Sequence, residues 1–342
     1  MKKTYIVIAI LLLLASFVGV TNADNLKSFF LQDKVLETDP YAKEKPSVSV
    51  KNSERVGDIT INNTSEISDD GGLIFTIKDK DNNLIGEFTY KAWTEKNPIF
   101  NTLSNGDVVL GSNMIYKNKE KKIENLCPTL DNGLLDFAVS KNKLAFIGTK
   151  SNTGSTVFIC IQDINTGEMQ TVDTFKYPDL TYPANVYVSW DQDQNLYYDF
   201  YENGKPAIKV YNDDSKEASL AFSNAMNPQG SPNGEYLVFE STDGLNISEQ
   251  SYSYLTLFNN NTKTKEGKLS GSRRIFWTNE YVITKNTGED KLEVFDLKNK
   301  GKKVQDITSE DLAFEVKYEN GKFKIKSYQF KENKFFLKNS EY

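Results

Sequence analysis

Residues 231–241 read Ser-Pro-Asn-Gly-Glu-Tyr-Leu-Val-Phe-Glu-Ser, a polar turn that runs directly into an apolar strand. Pro232 fixes one backbone φ angle, and Gly234 accepts the positive φ angle that such a tight turn needs. In the strand that follows, Leu237 and Phe239 lie on the same face because side chains alternate along a strand. The stretch therefore predicts a tight turn and a strand that packs into a core.

The same arrangement recurs along the chain. After Arg55, short runs of Val, Ile, Tyr, Phe and Thr are each bounded by Asn, Asp, Gly or Ser. Apolar strands follow such polar turns about every 40 residues, and ~40–45 residues is the period of a four-stranded propeller blade. The strands are marked by Leu73, Val108, Leu144, Leu196, Leu237, Val282 and Phe323. We therefore predict an all-β chain folded as a β-propeller with seven blades, or six if the first two units form one irregular blade.

Each unit also continues as a blade should. Residues 156–161 form an apolar run, residues 165–168 form a turn that contains Gly, and residues 169–172 form a further strand. A single blade cannot bury both of its faces, and a closed ring leaves fewer exposed strand edges. We therefore expect the C-terminal segment 334–338, Lys-Phe-Phe-Leu-Lys, to close the ring against the N-terminal region.

The opening stretch resembles the Ser-Pro-Asp-Gly-Lys-x-Leu-x-Phe-x-Ser signature of TolB-like propeller repeats, with Asn233 in place of Asp and Glu235 in place of Lys. Residues 68–75 and 188–198 are degraded versions of this signature. The resemblance covers residues 56–342 at the level of architecture and brings no catalytic residues with it. It implies an extracytoplasmic binding or scaffolding module, although the family also lends its fold to the propeller portions of some peptidases.

Composition excludes several kinds of chemistry. The chain of 342 residues contains no His, so Ser-His-Asp and Cys-His triads and His-ligated zinc are excluded. Lys and Arg number 41 against 47 Asp and Glu, a net charge of −6, which argues against a nucleic-acid partner because phosphate binding needs a basic face. A mean hydropathy of −0.52 is typical of a folded, water-soluble protein.

The first residues have the pattern of a secretory leader. Lys2 and Lys3 precede an uncharged apolar run over residues 6–20, and small residues follow up to Ala23. We predict a cleavable signal peptide over residues 1–23, a polar lead-in or linker over 24–55 and a single propeller domain over 56–342. The apolar run is shorter than the ~20 residues that span a bilayer, so we expect a secreted, extracytoplasmic protein without stable membrane insertion after cleavage. An uncleaved leader would instead anchor it to the membrane, and the enrichment in Lys and Asn indicates a bacterial source.

Two cysteines, Cys127 and Cys160, remain in the mature chain. An exported protein can oxidise such a pair, so a disulfide between them is one interpretation. The alternative is that both are buried thiols that act as small hydrophobic side chains.

The segment 177–201 is richer in aromatic residues than its surroundings. Exposed aromatic side chains stack on sugars and peptides at binding surfaces, which makes this segment a candidate ligand-binding region. The candidate ligand-binding residues are Tyr182, Trp190, Tyr198 and Tyr201. The alternative is that these rings pack between blades.

The same region holds a candidate calcium site. Asp191, Asp193 and Asp199 supply the carboxylate oxygens that Ca²⁺ prefers. The alternative is an ordinary hairpin turn, because Leu196 stands where a calcium-binding helix-loop-helix needs Gly. Apart from calcium at these residues, no cofactor is predicted.

The predicted function is that of a secreted, non-catalytic β-propeller binding or scaffolding protein. Its partner is an extracellular protein or a cell-envelope ligand, which it meets at one end of the ring, where loops from several blades converge. The alternative is a carboxylate-dependent hydrolase or lyase that acts on polysaccharide, because glycosidase chemistry needs only two carboxylates and no His. No catalytic residue is assigned.

Overall fold

The computed structural model describes residues 48–50, 53–68, 72–90, 100–111, 114–126, 134–140, 142–149, 156–177, 186–241, 254–271, 274–285, 290–308, 312–331 and 334–342. In these ranges the regular elements form seven antiparallel sheets of four strands each. The predicted all-β propeller with seven blades is confirmed. The alternative of six blades is wrong, because the first two units form separate four-stranded sheets within residues 53–90 and 100–125.

The blades are numbered here in chain order, and each is given by its strands from the innermost to the outermost. Blades 1 to 3 consist of β2 (Ser53–Val56), β3 (Ile59–Ile67), β4 (Leu73–Lys78) and β5 (Leu84–Tyr90); β6 (Phe100–Thr102), β7 (Val108–Leu110), β8 (Met114–Lys117) and β9 (Lys122–Asn125); β10 (Leu134–Ser140), β11 (Lys143–Thr149), β12 (Thr156–Asp163) and β13 (Met169–Lys176).

Blades 4 to 7 consist of β14 (Val188–Trp190), β15 (Asn195–Glu202), β16 (Lys205–Asn212) and β17 (Glu217–Ser223); β18 (Ala225–Gly230), β19 (Tyr236–Ser241), β20 (Tyr254–Asn259) and β21 (Thr264–Leu269); β22 (Ile275–Trp277), β23 (Tyr281–Lys285), β24 (Lys291–Asp296) and β25 (Lys302–Thr308); β26 (Leu312–Glu319), β27 (Lys322–Lys331), β28 (Lys334–Glu341) and β1 (Val48–Val50).

The two ends of the chain close the ring together. β1 is the outer strand of blade 7 and pairs antiparallel with β28, with Val48 opposite Ser340 and Val50 opposite Lys338. The predicted role of segment 334–338 in ring closure is confirmed. β1 and most of β2 precede residue 56, where the propeller was expected to begin, because their short, partly polar sequences do not stand out as strands. The predicted signal peptide lies outside the described residues.

The core lies between blades and not within them, which explains why the strand within residues 231–241 is apolar on both faces. All six residues of β19 are buried. Leu237 and Phe239 pack with Tyr197 of blade 4, whereas Tyr236 and Val238, on the other face, pack against blade 6. Alternation along one strand thus fills two separate interfaces, and the run Tyr-Leu-Val-Phe needs to be apolar throughout.

The turn before β19 is held by its own residues. The Gly234 amide donates to the Ser231 carbonyl oxygen at 2.8 Å, and the Tyr236 amide donates to Ser231 Oγ at 2.9 Å. Gly234 has a φ angle of 69°, and a methyl group on it would lie 1.7 Å from the backbone N of Gln192 in blade 4. Glycine is therefore required here both for backbone conformation and for the close approach of two blades.

Within the described residues, no helix is long and apolar enough to cross a membrane.

Candidate functional site

The two ends of the ring differ in the length of their connections. At one end, the turn face, lie the connections between the first and second strands of each blade and between the third and fourth strands of blades 1 to 6, and none exceeds five residues. At the other end, the loop face, lie the remaining connections, which include residues 177–187 and 242–253. The strand ends that bound these long connections therefore lie at the loop face, and loops carried by a rigid scaffold usually form binding sites.

Beneath the loop face, buried carboxylates join blades 3, 4 and 5. Asp136 on β10 is 4% exposed and accepts a hydrogen bond from the Val188 amide at 2.9 Å. Asp199 on β15 is 2% exposed and accepts from the amides of Tyr187 at 2.8 Å and Asn227 at 2.7 Å. Both carboxylates therefore satisfy backbone donors of the inner part of the next blade, which fixes the inner strands against one another.

Asn227 itself stands out at this junction. It lies in a bulge of β18, has a φ angle of 59° and is 1% exposed. Neither its Oδ1 nor its Nδ2 atom has a hydrogen-bond partner in the described structure, although its backbone amide is bound by Asp199. An unsatisfied amide side chain costs about 1–3 kcal/mol, so this position is a local source of instability in an otherwise well-bonded junction.

The predicted ligand-binding aromatic residues are distributed over blade 4. Tyr198 is fully buried, and its hydroxyl donates to Asp173 Oδ2 of blade 3 at 2.7 Å. Trp190 is 6% exposed, and its Nε1 donates to the Ala138 carbonyl oxygen at 3.3 Å. These two rings pack between blades 3 and 4, in agreement with the alternative that the aromatic rings of this segment pack between blades.

Tyr201 is the half-buried member of the predicted set. Its ring contacts that of Tyr177 edge-on, with the ring centroids 4.8 Å apart, and its hydroxyl lies 3.3 Å from the Tyr177 hydroxyl. Both residues lie toward the loop face. Tyr182 lies outside the described residues, so the ligand-binding role of the set stays a prediction.

The buried tyrosine hydroxyls act as donors. Burial raises the pKa of Tyr198, and the hydrogen bond to Asp173 raises it further. Burial also raises the pKa of Tyr197, with a smaller contribution from the charge of Asp191. Both phenols therefore stay protonated at neutral pH, where their hydroxyls donate to Asn260 and Asp173 of the neighbouring blades.

The three candidate calcium ligands do not converge. Asp191 Oδ1 accepts from the amides of Asp193 and Asn195 at 2.9 and 2.8 Å, which is the pattern of a self-contained turn on the turn face. Asp199 lies four residues beyond Asn195 on β15, about 13 Å away at the rise of a strand. No group of three or more Asp, Glu, Cys or His side chains in the described ranges is arranged to hold a metal ion. Calcium binding stays a prediction that the geometry of these residues does not favour.

Cys160 is buried on β12, with its Sγ 3.6 Å from Thr171 Oγ1. Cys127 lies outside the described residues, so the disulfide stays a prediction.

Chemically, the junction is suited to holding structure and not to proton transfer. A general acid or base must reach the substrate and exchange its proton, whereas Asp136 and Asp199 are enclosed and already bound by backbone amides. The carboxylate-dependent alternative would therefore need other carboxylates than these two.

Sequence reasoning named Asp199 but missed Asp136, Asp173 and Asn227. All three contact a neighbouring blade, and no local pattern reveals Asp136 or Asp173. Asn227 alone has a local signal, because it precedes Pro228 at the start of the opening repeat.

Comparison with known proteins returns similarities only at the level of solved structures. No family model matches the sequence, and no curated protein matches it either. Similar solved structures include TolB from Acinetobacter baumannii, 11% identical, covering 86% of this chain and 79% of that one with a TM-score of 0.44. The propeller domain of the Trilobed protease from Pyrococcus furiosus is 12% identical, with coverages of 82% and 78% and a TM-score of 0.41. Virginiamycin B lyase from Staphylococcus aureus is 13% identical, with coverages of 86% and 99% and a TM-score of 0.48. At these identities and TM-scores the similarities carry no functional information.

Proposed function

We propose that this protein is an extracytoplasmic, non-catalytic binding or scaffolding module that recognises a protein or cell-envelope ligand through its loop face. The observation that carries the proposal is the difference between the two ends of the ring. The connections at the turn face have five residues or fewer, whereas the strand ends at the loop face bound connections as long as residues 242–253. Binding residues are commonly found on loops that a rigid scaffold positions.

The scaffold beneath these loops supports the same proposal. Asp136 and Asp199 tie blade 3 to blade 4 and blade 4 to blade 5. Nearer the turn face, Ser189 Oγ adds a further link between blades 4 and 5 by accepting from the Gly230 amide at 2.6 Å. A base that is cross-linked in this way holds the roots of several loops at fixed separations, which reduces the ordering cost of binding.

The proposal is tested by removing one loop without disturbing its blade. Ser241 and Tyr254 are the last paired residues of β19 and β20, so an Asn-Gly hairpin can replace residues 242–253. Residues 24–342 would be immobilised and exposed to an envelope extract of the source organism, beside the shortened variant. A Lys298→Ala variant, changed at an exposed turn-face position, is the control.

We expect a partner that the parent chain and Lys298→Ala retain and that the shortened variant loses. Equal capture by all three chains would contradict a loop-face site. Release of sugars from envelope polysaccharide by the parent chain would favour the enzymatic alternative instead.

Export is a separate part of the proposal. We expect cell fractionation to place the protein outside the cytoplasm, with the mature N-terminus at Asp24 by mass spectrometry. An intact Met1 in the membrane fraction would show that the leader is retained as an anchor, and a cytosolic product would contradict the extracytoplasmic role.

A further inference from the structure

A groove opens between blades 4 and 5 near the turn face, at the opposite end of the ring from the loop face. It has a volume of about 460 Å³ and is walled by Val210, Ala221 and Phe222 of blade 4 and Phe258 of blade 5, with Ser219 and Lys263 also lining it. A volume of this size lies within the usual range of ligand sites, ~300–1,000 Å³.

The groove exists because two side chains are small. In blade 3, Ile161 pairs with Ala145 and Gln170, and in blade 4 the corresponding Val210 pairs with Tyr197 and Ser219. Ser219 therefore occupies the place of Gln170. Both outer strands then have a bulge at the same point, so the bulged residue is Val172 in β13 and Ala221 in β17.

The larger pair spans the equivalent interface between blades 3 and 4. Gln170 Nε2 donates to the Tyr211 hydroxyl of blade 4 at 3.3 Å, and Val172 packs against the core cluster shared by these blades. With Ser219 and Ala221 in their places, the space between blades 4 and 5 stays open.

The walls of the groove are partly exposed apolar surface. Val210, Ala221 and Phe222 are half-buried and pack against the cluster that contains Phe239 and Phe258. Phe222 stacks on Phe239, with the ring centroids 4.4 Å apart, so its position is fixed. A fixed aromatic wall that is not fully covered is suited to receiving a large apolar side chain.

The charge of Lys263 and the open edge of β17 indicate what kind of ligand the groove would bind. Lys263 has no ion-pair partner among the described residues, so a carboxylate on the ligand would complement it. β17 is the outer strand of its sheet, and its sequence Glu-Ala-Ser-Leu-Ala-Phe-Ser has a charge only at Glu217, the first residue. Other outer strands, such as β21 and β25, carry several charges, which discourage pairing with another chain.

We propose that the groove between blades 4 and 5 binds an extended peptide segment of a partner protein, which inserts one large apolar side chain against Phe222 and Phe258 and places a nearby carboxylate beside Lys263. The open edge of β17 is available to the peptide backbone, as in other cases where an extended peptide adds to a sheet edge. This site is separate from the loop face, because it lies at the other end of the ring.

The test is a selection of linear peptides from a randomised display library on the mature chain. Enriched peptides are then synthesised, and their affinities are measured by fluorescence anisotropy for four chains. These are the parent chain; the double variant Ser219→Gln with Ala221→Val, which copies Gln170 and Val172 of blade 3; Lys263→Glu; and the control Ala218→Val. Ala218 is an exposed residue of β17 that does not line the groove.

We expect enriched peptides to carry a large aliphatic or aromatic residue close to an Asp or Glu. Affinity should fall at least tenfold in the double variant and in Lys263→Glu, and stay within twofold in Ala218→Val. Replacing the peptide's carboxylate by Lys should restore binding to Lys263→Glu. Thermal unfolding of each chain shows that the fold is retained, and Lys263→Glu, at an exposed turn, remains informative even if the double variant does not fold.

Three outcomes would overturn the proposal. The library can yield no enriched peptide, or the enriched peptides can bind all four chains equally. The third is a dimer of the parent chain in sedimentation that the double variant abolishes, which would make a second copy the occupant.

Discussion

The interface between blades 3 and 4 and the interface between blades 4 and 5 are both bridged by polar side chains, but the second also has close backbone contact and a groove at its outer part. In the first, Asp173 of blade 3 accepts from the Tyr198 hydroxyl at 2.7 Å and from Lys209 Nζ at 2.9 Å. In the second, Gly234 approaches the backbone of Gln192 so closely that no side chain fits between them.

One position in the turn before the second strand of a blade shows how the two interfaces differ. Gln194 and Gly234 are the corresponding residues of the turns that precede β15 and β19, and both have a positive φ angle, 62° and 69°. Gln194 extends its side chain to blade 3, where Nε2 donates to Ser140 Oγ at 2.8 Å. Repeats of one architecture can therefore exchange a side-chain bridge for backbone contact at the same turn position.

The largest expected effect is at Gly234. Gly234→Ala forces an L-residue into the left-handed region and places its methyl group against the backbone of Gln192. We expect a loss of about 3–4 kcal/mol of unfolding free energy, from backbone strain together with overpacking. Urea denaturation of the mature chain measures it.

Gly204→Ala is the matched control. Gly204 has a φ angle of 77° but nothing within 4 Å of the added methyl group, so only the conformational cost of about 1 kcal/mol applies. Equal losses for the two variants would show that contact between blades 4 and 5 is not what requires glycine at residue 234.

The next effect concerns the ion pair across the interface between blades 3 and 4. Asp213 is paired with Lys143 of blade 3 and with Lys216 at 3.0 Å. Burial opposes its ionisation, but the two lysines outweigh burial and lower the pKa of Asp213 below its ordinary value near 3.8. We expect Asp213→Asn to lose about 1–2 kcal/mol at pH 7, because a charged hydrogen bond is removed from a largely buried site.

The pH dependence gives the sign of this effect. A carboxyl group whose pKa is lowered by folding stabilises the native state fully above its unfolded pKa, and this stabilisation disappears as the pH falls through the folded pKa. The difference between parent and Asp213→Asn should therefore be constant from pH 5 to 7 and shrink below about pH 4. A difference that persisted unchanged at pH 3 would show that charge is not its source.

A smaller effect is expected from Tyr198→Phe, which removes the hydroxyl that donates to Asp173 but keeps the buried ring. The loss should be about 1 kcal/mol, because Asp173 keeps its bond from Lys209. A double-mutant cycle with Asp173→Asn isolates the pair, and a coupling energy near zero would contradict a bridging role for this tyrosine.

Sequence alone could predict the blade but not what joins one blade to the next. Six of the seven marker residues, from Val108 to Phe323, lie on the second strand of their blades, whereas Leu73 lies on the third strand of blade 1. The marker was misplaced because the turn before β3 is only Gly57 and Asp58, while the polar run before Leu73 gives a stronger turn signal. Local composition reports turns and strands within a repeat.

The joining contacts are non-local, so they could not be predicted in the same way. Asp136 accepts a hydrogen bond from Val188, and Gln170 donates one to Tyr211. Each of these bonds joins blade 3 to blade 4. Whether an aromatic residue such as Tyr198 faces a ligand or a neighbouring blade depends on these contacts, which composition does not contain. The open groove follows likewise from Ser219 and Ala221, two residues that are unremarkable in the sequence.

The smallest expected effect is at Gln194. It tests most directly whether a side-chain bridge is needed at this turn position. Gln194→Gly removes the hydrogen bond to Ser140, but it also removes the backbone strain of a non-glycine residue at a positive φ angle. A hydrogen bond of this kind is worth about 0.5–1.5 kcal/mol and the strain about 1 kcal/mol, so the two nearly cancel and the unfolding free energy should change by less than about 0.5 kcal/mol. If denaturation instead shows a loss above about 1.5 kcal/mol, the bridge to Ser140 dominates, and glycine at this turn position is tolerated only where, as at residue 234, the next blade's backbone takes the place of the side chain.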